Sequence, residues 1–422
     1  MEQKKKMINE KMYSGNNTVS KEREVPWIIA LTLFFVVSMN VHWHSSYILW
    51  YGSLIVLVLS YNLVFVGSFQ IKNYSFFVWF VSFFFLGVFS LLWALSFDVT
   101  FDVLKNLAVY GVVLFTIQLS LQRGFKISTA LKCFLFATVI NSIYIILKID
   151  TAQIGKVQVG VDLISGWNGN AIGFMAMEGA LIAYYLLGQT KRKLEKLVYL
   201  ISILFLGFLT IITGSRTAFI VLIASFVIYF WGSNPKKLIR NVFITFALLI
   251  VMLLLIMSVE SFYNVLGSRL EGLLAMFKGE TAADTSSLTR NEFIENGKKW
   301  FAENPILGIG LNNYKVLNGP ATGLFTYAHN NFIEIAVDLG VIGLIIYYSV
   351  YVYLIFALIK TFKYSKINLY LLVALVASLI SQYGTVSYYG LYQNFLLMLC
   401  FFVVGKANFA KQNREEGYEE KN

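Results

Sequence analysis

The sequence predicts an all-α polytopic membrane protein of about twelve transmembrane helices with one large extracytoplasmic helical loop, and three observations carry that expectation. Of the 422 residues, 58% are hydrophobic and only 14% charged, against roughly 25% charged in soluble domains. Apolar runs long enough to cross a hydrocarbon layer of ~30 Å follow one another along the chain. Lysine and arginine gather in alternate connections. The net charge of +11 is therefore read as topogenic, and a nucleic-acid partner is not expected.

Taken in order, the apolar runs predict spans at 26–43, 46–66, 74–95, 99–120, 127–148, 168–188, 194–213, 215–232, 238–258, 329–359, 367–383 and 388–405. Residues 1–25, with Lys4, Lys5, Lys6, Lys11, Lys21 and Arg23, form a basic tail. The first span ends in NVHWHSS without a small-x-small cleavage pattern, so it reads as uncleaved. Lys72, Arg123/Lys126, Lys191/Arg192/Lys193/Lys196, Lys236/Lys237/Arg240 and Lys360/Lys363/Lys366 fill every second connection, and Lys406, Lys411, Arg414 and Lys421 fill a second tail at 406–422. The positive-inside rule puts these connections and both tails in the cytoplasm. The organisation expected is one membrane domain, 26–405, with an outer loop at 259–328 between the ninth and tenth spans. Cys133 and Cys400 fall inside spans and read as small hydrophobes.

The outer loop carries SSLTRNEFIENGKKWFAENP. Thr289 and Glu292 have capping-box spacing, so a helix is expected to begin with Thr289 as N-cap and Arg290 in its first position. It should stop at Asn304-Pro305. Phe293, Ile294, Trp300 and Phe301 form an apolar stripe opposite Glu295, Lys298 and Lys299.

Three residues attract attention by position: Arg216 in TGSRTAF at the start of the eighth span, Arg290, and His329 in AHNNFIEIAVDLGVIG at the start of the tenth. All three are expected at helix N-termini on the outer face. The macrodipole opposes a cation there, so arginines at such places make sense beside a bound anion such as phosphate. The same field favours a neutral imidazole, which can accept a proton. Taken singly, each has a plain alternative: an interfacial anchor for Arg216, a solvated charge for Arg290, a hydrogen-bonded spectator for His329.

Other polar residues carry less. His42 and His44 are two apart and share no helix face. Asp102 and Lys105 should neutralise each other at i, i+3. Glu178, mid-span, needs a partner or a cavity. Glu334 and Asp338 share a face of the tenth span, ahead of Gly340-x-x-Gly343, which reads as a close-packing motif. No Asp-x-Asp occurs in the outer loops, so a metal-bridged sugar-nucleotide transferase finds no support.

NPILGIGLNNY, AHNNFIEIAVDLGVIG and TGSRTAF, with WNGNAIGF earlier, closely resemble the O-antigen polymerase/ligase family over roughly 165–345. The resemblance implies transfer of glycan from an undecaprenyl-pyrophosphate carrier to an acceptor hydroxyl on the outer face of the bacterial cytoplasmic membrane, with neither metal nor cofactor. It implies pyrophosphate contact by Arg216 and Arg290, activation of the acceptor by His329, and substrate contacts from Asn330, Asn168, Asn170, Ser215 and Tyr314. A flippase and a chain-length regulator of the same pathway are the protein partners it suggests. Polymerisation of O-antigen, capsular or exopolysaccharide repeats is preferred to ligation onto a different acceptor. A lipid-linked oligosaccharide flippase is the alternative of another class, and would need charges deep in many spans. A membrane scaffold without catalysis would leave the three residues freely replaceable.

Overall fold

A computed structural model describes residues 24–39, 47–65, 74–149, 168–233, 235–268, 270–272 and 285–419. His42, His44, Trp167 and the basic residues before 24 lie outside them. Among the described residues there is no strand. The apolar helices are α1 (Val25–Met39), α2 (Tyr47–Val64), α3 (Ser75–Ser90), α4 (Phe97–Gln122), α5 (Ile127–Lys148), α6 (Gly169–Leu187), α7 (Lys193–Ile212), α8 (Arg216–Ser233) and α9 (Leu238–Ser258). After them come the loop helices α10 (Thr285–Glu303) and α11 (Tyr314–Thr322), then α12 (Asn331–Thr361), α13 (Lys366–Ser381) and α14 (Leu391–Glu419).

Eight of these helices are long and apolar enough to cross a membrane, and four apolar helices, α1, α3, α13 and the first part of α14, are shorter. The bundle interior is apolar and aromatic: Trp27, Phe34, Phe134, Tyr347, Tyr388 and Phe395 are fully buried. Ile48, Leu63, Leu92, Leu147 and Ile239 point outward, as side chains facing lipid do. Cys133 and Cys400 are free and buried, and Asp102 pairs with Lys105 at 2.7 Å.

Two expectations need correction. The tenth span is not one continuous helix, because Gly340 inside α12 has φ 63 and ψ −161, a conformation essentially restricted to glycine. Gly340-x-x-Gly343 is therefore a break rather than a helix-packing motif. Into the break comes the segment after α10. Val341 N–H donates to the Pro305 carbonyl at 2.8 Å, Ile309 N–H to Val337 at 3.0 Å and Gly310 N–H to Asp338 at 2.9 Å. The Asp338 carboxylate accepts from Asn312 N–H at 2.7 Å and Tyr314 N–H at 2.8 Å. Irregular backbone can sit among membrane helices only if its peptide groups are paired in this way.

The second correction concerns α10. It starts at Thr285, so Thr289 is not its cap and Arg290 lies in its second turn. Nothing in Thr285–Leu288 breaks a helix, and Thr-x-x-Glu spacing marks a start only where the preceding residues leave helical conformation. The end is as expected, at Glu303 before Asn304-Pro305. The stripe packs inward through Phe293, Trp300 and Phe301 against Ile309, Tyr314, Ala328 and Val337. Glu295, Lys298 and Lys299 face out. Gly297 allows the close approach, since a Cβ there would come within 2.3 Å of Ile333.

Candidate functional site

His329 sits two residues before α12, with φ 52, a left-handed backbone uncommon for a side chain of this size. Its neighbours hold it there. Ala328 N–H donates to the buried Glu334 carboxylate at 2.6 Å. Asn330 caps α12, its Oδ1 accepting from Phe332 N–H at 3.0 Å and Ile333 N–H at 3.1 Å. Asn331 reaches across to the turn after α13: its Nδ2 donates to Gln382 Oε1 at 2.9 Å, and its Oδ1 accepts from Ser387 N–H at 2.9 Å and Tyr388 N–H at 3.1 Å.

The imidazole lies between two rings. Tyr327 is 4.1 Å away centroid to centroid, and Phe293 of α10 is 6.1 Å away and nearly parallel. Arg290 stands one turn from Phe293 on α10, and its guanidinium acts electrostatically on both His329 and Tyr327. Burial first, and the Arg290 charge second, push the His329 pKa down to about 4. The imidazole is therefore neutral near pH 7, with burial and Arg290 as the causes. Its Nδ1 is buried without a hydrogen-bond partner. Burial holds the Tyr327 phenol up at about 12, against the smaller opposing effect of Arg290.

Tyr327 ties the other elements to this point. Its hydroxyl accepts from Asn168 Nδ2 at 2.8 Å and meets Thr385 in the turn 382–390. Asn168 in turn caps α6, accepting from Asn170 N–H at 2.9 Å. Arg216 is the first residue of α8, after Gly214 at φ 63. Ser215 is buried beside Gly173 of α6, with no partner for its Oγ, and Thr217 packs on Gly384 of the same turn. Thus Arg290 is brought to His329 directly. Arg216, Ser215, Asn168 and Asn170 reach the same end of the bundle through α6 and the 382–390 turn. Tyr314 does not open onto this surface: it is fully buried, and its hydroxyl donates to the Phe293 carbonyl at 2.7 Å. It fixes α10 from behind.

Sequence reasoning missed Tyr327, Glu334 as the anchor of Ala328, and the turn QYGTVSYYG. The turn did carry a signal: a connection with Gln, Thr, Ser and three Tyr and no Lys or Arg is built for hydrogen bonding, not for topology. Among the described residues no group of three His, Cys, Asp or Glu is placed to hold a metal ion.

A helix broken at Gly340, a loop helix packed against it and a neutral imidazole beside a guanidinium suit one class, integral membrane proteins with a polar site at one end of the bundle. Residues 200–348, about a third of the chain, match the family model described as O-antigen ligase. The matched stretch includes Arg216, Arg290 and His329 and stops before the 382–390 turn. No curated protein matches the chain.

Proposed function

We propose that the protein moves glycan from undecaprenyl pyrophosphate to an acceptor sugar hydroxyl at the outer face of the bacterial cytoplasmic membrane, polymerising repeat units. The observation that carries the reading is the buried, neutral His329 under the charge of Arg290. A cation beside an unprotonated base suits a reaction in which a hydroxyl loses a proton while a diphosphate gains charge.

The acceptor oxygen attacks the anomeric carbon, and its proton passes to an unprotonated imidazole nitrogen. The bond from the anomeric carbon to the carrier phosphate oxygen breaks, and the pyrophosphate leaves with that electron pair. Arg290 and Arg216 stabilise the leaving charge. A single displacement inverts the anomeric centre. The reading calls on no metal or cofactor. The basic connections, which collect at the ends of α6, α8 and α12 away from His329, support this sidedness.

Ligation onto a different acceptor is the second reading, favoured by the description of the matched family. The test is surface glycan in cells lacking the protein, complemented with wild type or Arg290→Ala. Single repeats on the acceptor in place of long chains indicate a polymerase. Full-length chains stranded on the carrier indicate a ligase. Wild-type glycan from Arg290→Ala, at equal protein level, sinks both.

A further inference from the structure

A cavity of about 410 Å³ lies between α6 and the 382–390 turn, within the roughly 300–1,000 Å³ typical of small-ligand pockets. Its lining includes Asn168 and Thr385, the two residues that hold the Tyr327 hydroxyl, so the cavity adjoins the His329 site. From Gly169 to Glu178, α6 advances ~14 Å at ~1.5 Å per residue. Glu178 therefore lines the cavity deep in the bundle, where a carboxylate is costly unless something answers it. Among the described residues that line it there is no Lys, Arg or His.

Gln393 of α14 lines the same cavity. It is 3% exposed. Its Oε1 accepts from Ser378 Oγ, while its Nε2 is buried with no partner. Buried donors without acceptors are rare in folded proteins and ask for a ligand or a water. Tyr110, Phe134 and Tyr392 add ring surface. The cavity thus offers an acceptor at Glu178, a donor at Gln393 and flat apolar faces, with no cation among the described lining residues.

A polyprenyl tail would leave Glu178 and Gln393 unpaired, and a phosphate would find no cation among the described lining residues. A sugar ring satisfies all three features. One hydroxyl accepts from Gln393 while it or its neighbour donates to Glu178, and the C–H face lies on the rings. We propose that this cavity is a sugar-binding subsite in which Glu178 and Gln393 select the ring next to the reacting hydroxyl. The proposal rests on the glycan-transfer reading and names the part of the glycan that the enzyme inspects.

The experiment is saturation-transfer NMR on the full chain in lipid nanodiscs, with glucose, galactose, N-acetylglucosamine and glucosamine as probes. Wild type should bind at least one of them. Glu178→Leu and Gln393→Leu should each weaken that binding by about tenfold or more. Glu178→Gln should keep a neutral sugar and lose an amino sugar, which tells the two apart. Arg290→Ala should bind free sugar as wild type does, because no pyrophosphate is present. Where one leucine variant fails to give a monodisperse protein, the other and Glu178→Gln carry the test. No binding of any probe to wild type, or binding untouched by the substitutions, overturns the proposal. Sugar binding that needs Glu178, alongside glycan assembly indifferent to Arg290 and His329, would instead overturn the transfer mechanism and leave the subsite standing.

Discussion

In the transfer mechanism proposed above, the charge that would help the leaving group also weakens the base at His329. Arg290 and burial together hold the imidazole near pKa 4, too low to draw strongly on a hydroxyl proton. A diphosphate bound at Arg290 would offset the guanidinium and raise that pKa, so the base strengthens as the donor arrives. His329→Ala should then lower transfer by about 10²–10⁴, the range general-base catalysis contributes, measured as product per carrier-linked donor by purified protein. Near wild-type turnover would remove the base assignment. The same shift has a consequence for stability. The folded pKa lies below the unfolded value of 6.5, so the unfolded chain takes up the proton first. The contribution is fully present above pH 6.5 and is lost as pH falls towards 4. Its ceiling is about 3.5 kcal/mol, from ~1.4 kcal/mol per pH unit, and water at the partly exposed ring reduces it. In thermal melts from pH 7 to 4, His329→Gln should lose less stability than wild type. Parallel curves would mean that the imidazole charges freely in the folded protein.

At the scale of elements, the decisive feature is the joint between α12 and the segment 305–313. A Cβ on Gly340 would come within 2.3 Å of the Ile306 carbonyl oxygen, and one on Gly308 within 2.4 Å of Asp338 backbone. Gly340→Ala combines a forbidden dihedral with a backbone clash that nothing flexible can relieve, so a loss above about 3 kcal/mol is expected. Gly323, at φ 76 with open space around it, should cost only about 1 kcal/mol on the same change. Size-exclusion profiles of the two variants check this, and equal recovery would contradict the joint. The joint also marks the limit of what the sequence discloses. Helix positions were legible because apolar length alone sets them: α5 and α9 fall at 127–148 and 238–258, as expected from hydropathy. ILGIG and DLGVIG look like span residues by hydropathy, so their exchange of backbone hydrogen bonds was invisible. His329, Arg216 and Arg290 stood out because charge and imidazole are rare in this composition. Tyr327 did not, because one Tyr among 25 carries no signal until Asn168 and Thr385 are seen beside it.

For the molecule as a whole, the short helices and the site have one explanation. α3 ends at Ser90, whose Oγ accepts from Leu311 N–H at 3.1 Å, and just beyond it Leu95 N–H donates to the Ile309 carbonyl at 3.1 Å. α13 ends at Ser381, and the amide of the next residue, Gln382, donates to the Tyr351 hydroxyl at 2.6 Å. These helices stop early because irregular backbone enters the bundle and takes over their depth, the arrangement by which membrane proteins line polar sites with broken helices. Helix direction then alternates, so His329, the N-terminus of α8 and all of α10 share one end, while Lys193, Lys236, Lys237, Lys360 and Lys363 share the other. Charge bias of this kind orients a chain with its basic end in the cytoplasm, which would put His329 outside, the side that the proposed reaction requires. Single cysteines test that orientation cleanly, because Cys133 and Cys400 are buried. In intact cells a membrane-impermeant maleimide should label Lys298→Cys on the exposed face of α10 and spare Lys363→Cys beyond α12, which should label only after lysis. The reverse pattern would turn the site to the cytoplasm and exclude any donor held on the outer leaflet.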